Sequence, residues 1–345
     1  RRYRLIRFAT PTRRAIVGPF GLPPRDLTIR ITGIAHGAVV GRAVATNVLG
    51  LPRAAATVRM PNRTIAAAQV RLRRLPRPSL WTAAWAIDLS SGRGASWNAG
   101  AQFTAASTAK LPILLTYLIG LRRDPVGDRH WGDLRSMILE SSNTAANTML
   151  TAIGGDTTSG AMRVNEVMRR LGAYRSDEAG GYLPDDRRAA IPPVRVDSAP
   201  DAECCKVFTA HDLGVLMLET IRAANGTGRA HAAGLTGRDA RVALWLLVHA
   251  EHPGLFRPWT RWVVAHKAGY IDVAQHDVAA VFSPRGTQIL VALTEEPGVA
   301  SVSGAQAYGR GVLRIAERWL REPATTRARR LGAVRHRGSP VPFDP

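Results

Sequence analysis

The sequence predicts an α+β fold in which one sheet is built from strands that lie far apart in the chain. An apolar run at residues 80–89 closes at Ser-Ser-Gly, as a strand entering a turn does. Three more strand-like runs come much later, at residues 262–267, 278–282 and 288–294. The segments between them have helical patterns. The sheet is therefore expected to enclose a helical insertion.

The N-terminal part of the chain offers little chemistry. Residues 1–60 are rich in Arg, Gly, Pro and Ala, and the alternation at residues 27–31 predicts one or two short strands. We expect 1–60 to be an extension of unknown role, 61–323 to be the main domain, and 324–345 to be a basic, disordered tail.

Helices account for most of the main domain. Residues 66–75 have helical composition and end at Pro76. Residues 94–98 are instead expected to form a strand that pairs with residues 80–89 in a hairpin. The other predicted helices are 107–121, 133–140, 144–153, 161–171, 211–223, 239–251 and 303–321. Residues 173–206 form a long irregular stretch, and loops of that length in compact domains are usually functional or mobile.

The charge of the chain limits its partners only loosely. The net charge is +21, which attracts anionic partners such as nucleic acid, anionic lipid or a cell-wall polymer. Only three of the 47 basic residues are lysine, so a general bias towards arginine accounts for much of this charge. No RRM, zinc-knuckle or basic-zipper pattern is present, and we expect no specific nucleic-acid partner.

The sequence shows no sign of a metal site or a membrane span. The two cysteines, Cys204 and Cys205, are adjacent, and no metal-ligand spacing surrounds them. No apolar run reaches the roughly 18 residues that a transmembrane helix needs. We therefore expect no metal, no cofactor and no transmembrane segment in this chain.

The rare lysines mark the positions where arginine would fail. Arginine keeps its charge at physiological pH, whereas a buried lysine can lose its proton and act as a base. Lys110 completes the S-x-x-K motif Ser107-Thr108-Ala109-Lys110. On a helix, residues three apart share one face, so the lysine amine can take the proton of the Ser107 hydroxyl. The helix N-terminus adds positive potential beside a developing oxyanion.

Two further motifs follow in the chain. In Ser141-Ser142-Asn143, the Ser141 hydroxyl can relay a proton to a leaving amine, and Asn143 can hold the lysine or a substrate amide. In Lys267-Ala268-Gly269, at the end of a strand, Lys267 adds a charge to the same cleft. Gly269 lets the edge backbone approach a substrate closely. The order and placement of the three motifs indicate one active site.

These residues resemble the class A β-lactamases of the penicillin-recognising superfamily. Residues 137–147 (MILESSNTAAN) with Ile153-Gly154-Gly155 resemble their S-D-N region, and residues 103–110 (FTAASTAK) resemble the approach to their nucleophile. Lys267-Ala268-Gly269 is similar to their K-T-G strand, and residues 276–281 (HDVAAV) are similar to the strand that follows. The resemblance covers about residues 62–322.

The resemblance implies a five-stranded antiparallel sheet packed by the terminal helices, an all-helical lobe, and a site between them. It implies an acyl-enzyme on Ser107, with Lys110 as its base and Ser141 and Lys267 as a proton relay. The oxyanion hole would be the backbone N–H groups of Ser107 and Tyr270. Such proteins work outside the cytoplasm, so the resemblance also implies an exported protein.

Several positions depart from the family pattern. Ser142 replaces the aspartate of S-D-N, and Ala268 replaces the threonine that would hold a substrate carboxylate. His276 stands where many members have an arginine that supports the same carboxylate. Since histidine titrates near pH 6.5, we expect carboxylate binding to be weak and pH-dependent. The short spacing from Ser107 to Ser141 predicts a reduced helical lobe.

The glutamate that activates the deacylating water has no clear counterpart. Residues 173–206 contain no E-x-x-x-N, and Glu166, in an earlier helix, is expected to be a surface residue. The acidic residues of this stretch are Asp177, Glu178, Asp185, Asp186 and Glu203. We expect acylation to be faster than deacylation, unless Glu178 folds over the site and replaces the missing glutamate as the base.

Three functions remain open from the sequence. The first is a serine hydrolase that acts on a β-lactam or a related cell-wall amide and releases it slowly. The second is a D-Ala-D-Ala peptidase or esterase, which would take a peptidoglycan-derived peptide. The third is a degenerate protein that no longer reacts and holds an anionic cell-wall polymer through its positive charge.

Overall fold

The structure is a computed structural model that describes residues 27–48, 58–76, 81–183, 206–283, 285–296 and 298–321. Its strands are β1 (Leu27–Ala35), β2 (Ala38–Val48), β3 (Arg63–Thr64), β4 (Trp81–Asp88), β5 (Arg93–Trp97), β6 (Gln102–Thr104), β7 (Val207–Thr209), β8 (Val263–Ile271), β9 (Ala274–Ser283) and β10 (Gly286–Glu295). Its α-helices are α1 (Ala66–Arg73), α2 (Lys110–Gly120), α3 (Trp131–Leu139), α4 (Asn143–Gly154), α5 (Thr157–Leu171), α6 (Ala210–Ala224), α7 (Gly228–Ala232), α8 (Gly237–Val248) and α9 (Val302–Ile315).

The main sheet joins strands from both ends of the domain, in the order β3-β5-β4-β10-β9-β8. This confirms the predicted α+β fold. The expected number of five strands is wrong within the described residues, because the two-residue strand β3 adds a sixth and pairs in parallel with β5. The other neighbouring strands are antiparallel. A strand of two residues has no alternation that a sequence pattern could reveal.

The sheet separates two apolar layers, because successive side chains of a strand point to opposite faces. On β4, Trp85 and Ile87 belong to the core of the helical lobe, whereas Ala84 and Ala86 pack with α1 and α9. Helix α6 approaches the sheet closely at Gly214, where an added Cβ would lie 2.3 Å from the Trp85 ring. The terminal helices thus cover one face, as expected, and the helical lobe covers the other.

The helices of the lobe begin and end at residues suited to those positions. The Ser142 hydroxyl accepts the Ala145 N–H at 3.1 Å and caps α4, and Asp156 accepts the Ser159 N–H at 2.8 Å and caps α5. Helix α5 stops at Gly172, whose φ of +100° suits glycine. Among the described residues, no helix is both long enough and apolar enough to cross a membrane.

The N-terminal strands are longer than the sequence pattern indicated, and β1 and β2 form an antiparallel hairpin of their own. The domain boundaries at residues 60 and 323 stay predictions. Residues 173–183 form an irregular segment that bridges to β7 through Asp177 and Val207. Three of the acidic candidates, both cysteines and the basic tail lie outside the described residues, in 184–205 and 322–345.

Candidate active site

Ser107 and Lys110 meet at the start of the first helix of the lobe. Ser107 lies in a 3₁₀ turn, Ala106–Ala109, that leads directly into α2, and Lys110 is the first residue of α2. Lys110 Nζ lies 2.9 Å from Ser107 Oγ, and the lysine is fully buried. Ala106 has a φ of +45°, which is unusual for a residue with a side chain. The turn therefore holds Ser107 in a backbone setting that ordinary helices lack.

Two acceptors orient the Lys110 amine from the other side. Nζ donates to the Asn143 side-chain oxygen at 2.7 Å and to the backbone carbonyl of Ser141. Both of these oxygens can only accept a hydrogen bond. The Lys110 amine is thus held between these two oxygens and the Ser107 hydroxyl. This arrangement suits a base that removes the hydroxyl proton.

Ser141 connects the two lysines. Its hydroxyl lies 2.9 Å from Lys267 Nζ and 3.4 Å from Lys110 Nζ. Ser141 has a φ of +64°, an uncommon conformation that often marks a functional position. Lys267 is almost fully buried, and its pKa lies well below 10.5 because of desolvation by burial and then repulsion from Lys110. A proton can therefore pass between the lysines through one hydroxyl.

The edge strand β8 lies directly against the turn that carries Ser107. A Cβ built on Gly269 would lie 3.0 Å from the backbone nitrogen of Ser107 and 2.9 Å from that of Thr108. Tyr270, the next residue, is exposed and stacks on the ring of His252, with ring centres 4.4 Å apart. Glycine thus keeps open the space in which the N–H groups of Ser107 and Tyr270 are expected to receive an oxyanion.

The structure contradicts the expected role of His276. Its ring is buried, with Nε2 2.8 Å from the Thr104 carbonyl and Nδ1 3.2 Å from the Thr294 amide nitrogen. Burial lowers its pKa to about 4, so the ring is neutral at physiological pH. It braces β9 and β10 against the segment before Ser107, and both of its ring nitrogens are engaged by backbone groups. The pH dependence of substrate binding that we expected from this residue does not follow.

The acidic candidates within the described residues, Glu166, Asp177 and Glu178, make no described hydrogen bond to Ser107. Glu166 is exposed on α5, and the Asp177 side chain is about half exposed. The side chain of Glu178 is buried, and Glu178 Oε1 lies 3.2 Å from Lys206 Nζ. Burial raises the pKa of Glu178 to about 7, although the nearby Lys206 opposes this shift. No hydrogen bond of the Glu178 carboxyl group to Ser107 or Lys110 occurs among the described contacts.

Tyr182, Lys206 and His252 were missed by the sequence reasoning. The centre of the Tyr182 ring lies 5.0 Å from Lys110 Nζ and 4.3 Å from Lys206 Nζ. Lys206 carried a signal, because it is the third lysine in a chain that otherwise uses arginine. Neither Tyr182 nor His252 belongs to a motif. Among the described residues, no group of three or more His, Cys, Asp or Glu residues could hold a metal ion.

Known proteins share this architecture. PBP-A is 20% identical with a TM-score of 0.58, covering 76% of this chain and 99% of its own. A mutant of PBP-A, solved as an acyl-enzyme complex with penicillin G, is 20% identical with a TM-score of 0.56, covering 74% of this chain and 98% of its own. A β-lactamase from Streptosporangium roseum is 20% identical with a TM-score of 0.53, covering 78% of this chain and 100% of its own. These likenesses establish the fold.

A search of curated proteins found no match. The model of the Beta-lactamase enzyme family matches residues 132–315, which is more than half of the chain. The matched region includes Ser141, Asn143 and Lys267, whereas Ser107 and Lys110 precede it. The sheet, the helical lobe and this match together show that the chain belongs to the Beta-lactamase enzyme family, the serine hydrolases of penicillin-recognising type.

Proposed function

We propose that this protein forms an acyl-enzyme on Ser107 with a β-lactam or a related cell-wall amide and releases it slowly. The observation that carries the proposal is the setting of Lys110. Its Nζ lies 2.9 Å from Ser107 Oγ and also donates to the Asn143 side-chain oxygen and the Ser141 carbonyl. Family membership supports a hydrolase of this type.

In the acylation step, Ser107 Oγ attacks the amide carbonyl carbon and its proton passes to the neutral Lys110 amine. The carbonyl oxygen becomes an oxyanion and is held by the backbone N–H groups of Ser107 and Tyr270. The C–N bond then breaks, and the leaving nitrogen takes a proton through the Ser141 hydroxyl from the Lys110–Lys267 pair. Asn143 orients Lys110 throughout, and Gly269 leaves room for the substrate.

The proposal of slow release is supported by the position of Glu178. General-base activation of a water contributes about 10²–10⁴-fold to a rate. Glu178, the best acidic candidate, is buried and paired with Lys206 instead of facing Ser107. The acyl-enzyme therefore lacks a carboxylate base among the described residues and is expected to persist.

A D-Ala-D-Ala peptidase or esterase is the second candidate, because the same residues would cleave a peptidoglycan-derived peptide. A mutant of PBP-A has been solved as an acyl-enzyme complex with penicillin G, so a protein with this fold can hold a stable acyl group. A non-catalytic protein that holds an anionic wall polymer is disfavoured by the intact contact between Ser107 and Lys110. Since these substrates are outside the cytoplasm, the proposal includes an exported protein.

A time course of intact-mass spectrometry with penicillin G tests the proposal. We expect a stoichiometric adduct that disappears slowly, and no adduct with Ser107→Ala. Rapid turnover without a detectable adduct would indicate an ordinary β-lactamase. Failure of penicillin G and of a D-Ala-D-Ala peptide to acylate the protein would instead support the binding protein.

A further inference from the structure

Lys206 is enclosed by the loop of residues 177–183, which we call the Tyr182 loop. Its ammonium group donates to the backbone carbonyls of Ala179, Gly180 and Gly181 at 3.0, 2.7 and 2.8 Å. It also lies 3.2 Å from Glu178 Oε1. A lysine ammonium is compact and has three donors, whereas a guanidinium is planar and larger. This site therefore explains a lysine in a chain that favours arginine.

Two asparagines fasten the Tyr182 loop to the helical lobe. Asn165 on α5 exchanges hydrogen bonds with the backbone N–H and carbonyl of Glu178, at 2.8 and 3.0 Å. Asn147 on α4 does the same with the backbone of Tyr182, at 2.7 and 2.8 Å. Each side-chain amide thereby both donates to and accepts from one backbone residue, as a neighbouring strand would. The loop is thus fixed at the backbone of both Glu178 and Tyr182.

The same helix face also fixes Lys110. Asn143 and Asn147 are four residues apart on α4, so they lie one above the other on one face. Asn143 accepts from Lys110 Nζ at 2.7 Å, and Asn147 holds Tyr182. The ring centre of Tyr182 consequently lies 5.0 Å from Lys110 Nζ, so the aromatic face lies beside the amine.

Tyr182 places an aromatic face beside Lys110 but supplies no basic group. Burial, followed by its interaction with Glu178, raises the pKa of its phenol well above 10, so the hydroxyl is not a base at neutral pH. The ring occupies space next to Lys110, whose Nζ lies 2.9 Å from Ser107 Oγ. Water that approaches Lys110 from the side of Tyr182 meets the carbon atoms of the ring.

We propose that Tyr182 shields the acyl-enzyme from water and that Lys206 is the positioning residue that holds this shield in place. The inference rests on the proposed acylation of Ser107. In the step that it slows, water attacks the ester carbonyl carbon and the bond from that carbon to Ser107 Oγ breaks. Oγ recovers one proton of the water, and the released acid gives its proton to solvent.

The lifetime of the acyl-enzyme tests the shield. Penicillin G is the acyl donor, p-nitrophenyl acetate is a second donor, and intact mass follows each adduct. We expect Tyr182→Ala to shorten the lifetime by at least about tenfold, since opening a site to water removes the protection of a closed one. Tyr182→Phe keeps the ring and should retain the lifetime to within about twofold. If the hydroxyl mattered and the ring did not, both substitutions would shorten the lifetime to the same extent.

Lys206→Met, with Lys206→Arg as the second variant, should shorten the lifetime and raise hydrogen exchange in residues 177–183. In the Tyr182→Ala background, neither variant should shorten it further. The matched control is Arg169→Met, which removes an exposed cation 4.0 Å from Asp177 of the same loop and should change nothing.

Equal lifetimes for wild type and Tyr182→Ala would overturn the shield while leaving Ser107 acylation intact. If a Lys206 substitution and Tyr182→Ala shorten the lifetime of the acyl-enzyme additively, the positioning role of Lys206 is overturned. Absence of an adduct from both donors would overturn this inference together with the proposed function. If Lys206→Met does not fold, Lys206→Arg tests the positioning role, and Tyr182→Ala and Tyr182→Phe test the shield.

Discussion

A side chain at Gly269 would place its Cβ 3.0 Å from the backbone nitrogen of Ser107. That nitrogen is one of the two expected donors of the oxyanion hole. The close approach explains why the strand beside the nucleophile carries glycine here, because a methyl group would fill the space that a substrate oxygen needs.

We therefore expect Gly269→Ala to lower the acylation rate by about 10²–10³-fold, the usual loss when one oxyanion donor is removed. Stopped-flow acylation with a fluorescent penicillin measures the rate. Gly132→Ala on α3 is the matched control, because nothing lies within 4 Å of its added Cβ. If Gly269→Ala is acylated at a rate within a few-fold of wild type, this strand does not form part of the oxyanion hole.

Ser107 and Lys110 should behave as one unit. Ser107→Ala removes the nucleophile, and Lys110→Arg replaces the base by a group that cannot accept the proton and does not fit a fully buried position. Each change should reduce acylation by several orders of magnitude, and the double variant should be no worse than either. Adduct formation is read by intact mass. Near-normal acylation in Lys110→Arg would show that another group takes the proton.

His276 should make the fold sensitive to acid. Burial lowers its pKa from 6.5 to about 4 in the folded protein. Its stabilisation is thus fully present above about pH 6.5 and is lost as the pH falls towards 4, because the unfolded chain binds the proton first. The loss amounts to about 3 kcal/mol of unfolding free energy at the acid end.

Urea unfolding at pH 7 and pH 4.5 measures this loss. His276→Gln should be less stable than wild type at pH 7 but should lose less stability on acidification. His36→Gln, in the exposed turn of the N-terminal hairpin, serves as the control. An identical acid loss in wild type and His276→Gln would assign the effect to other groups.

The sequence predicted the fold class and the placement of its strands because the apolar runs at both ends of the domain are long. It missed β3, which is too short to show a pattern. It grouped Ser107, Lys110 and Ser141 through motif order, and the structure places them within hydrogen-bonding reach.

The remaining features depend on the direction of side chains in three dimensions. His276 lies on the strand that the family pattern favours, yet its ring turns into the core, and no one-dimensional pattern distinguishes the two directions. Ser142 departs from the S-D-N pattern, and its role as the cap of α4 depends on the position of the Ala145 N–H, which the sequence does not show. Tyr182 comes to Lys110 through a loop whose path the sequence does not specify.

Lys267 should set the alkaline limit of acylation. Desolvation by burial and then repulsion from Lys110 hold its pKa well below 10.5, so it loses its proton at a lower pH than an exposed lysine does. The protonated form is the one that can supply a proton through Ser141 Oγ, 2.9 Å away. The acylation rate should consequently fall as the pH rises, with a midpoint well below 10.5. Lys267→Arg should react more slowly at neutral pH but keep its rate to higher pH, since arginine stays charged. The test is to measure the acylation rates of wild type and Lys267→Arg from pH 6 to 10.5. If both rates fall at the same pH, the alkaline limit belongs to a group other than Lys267.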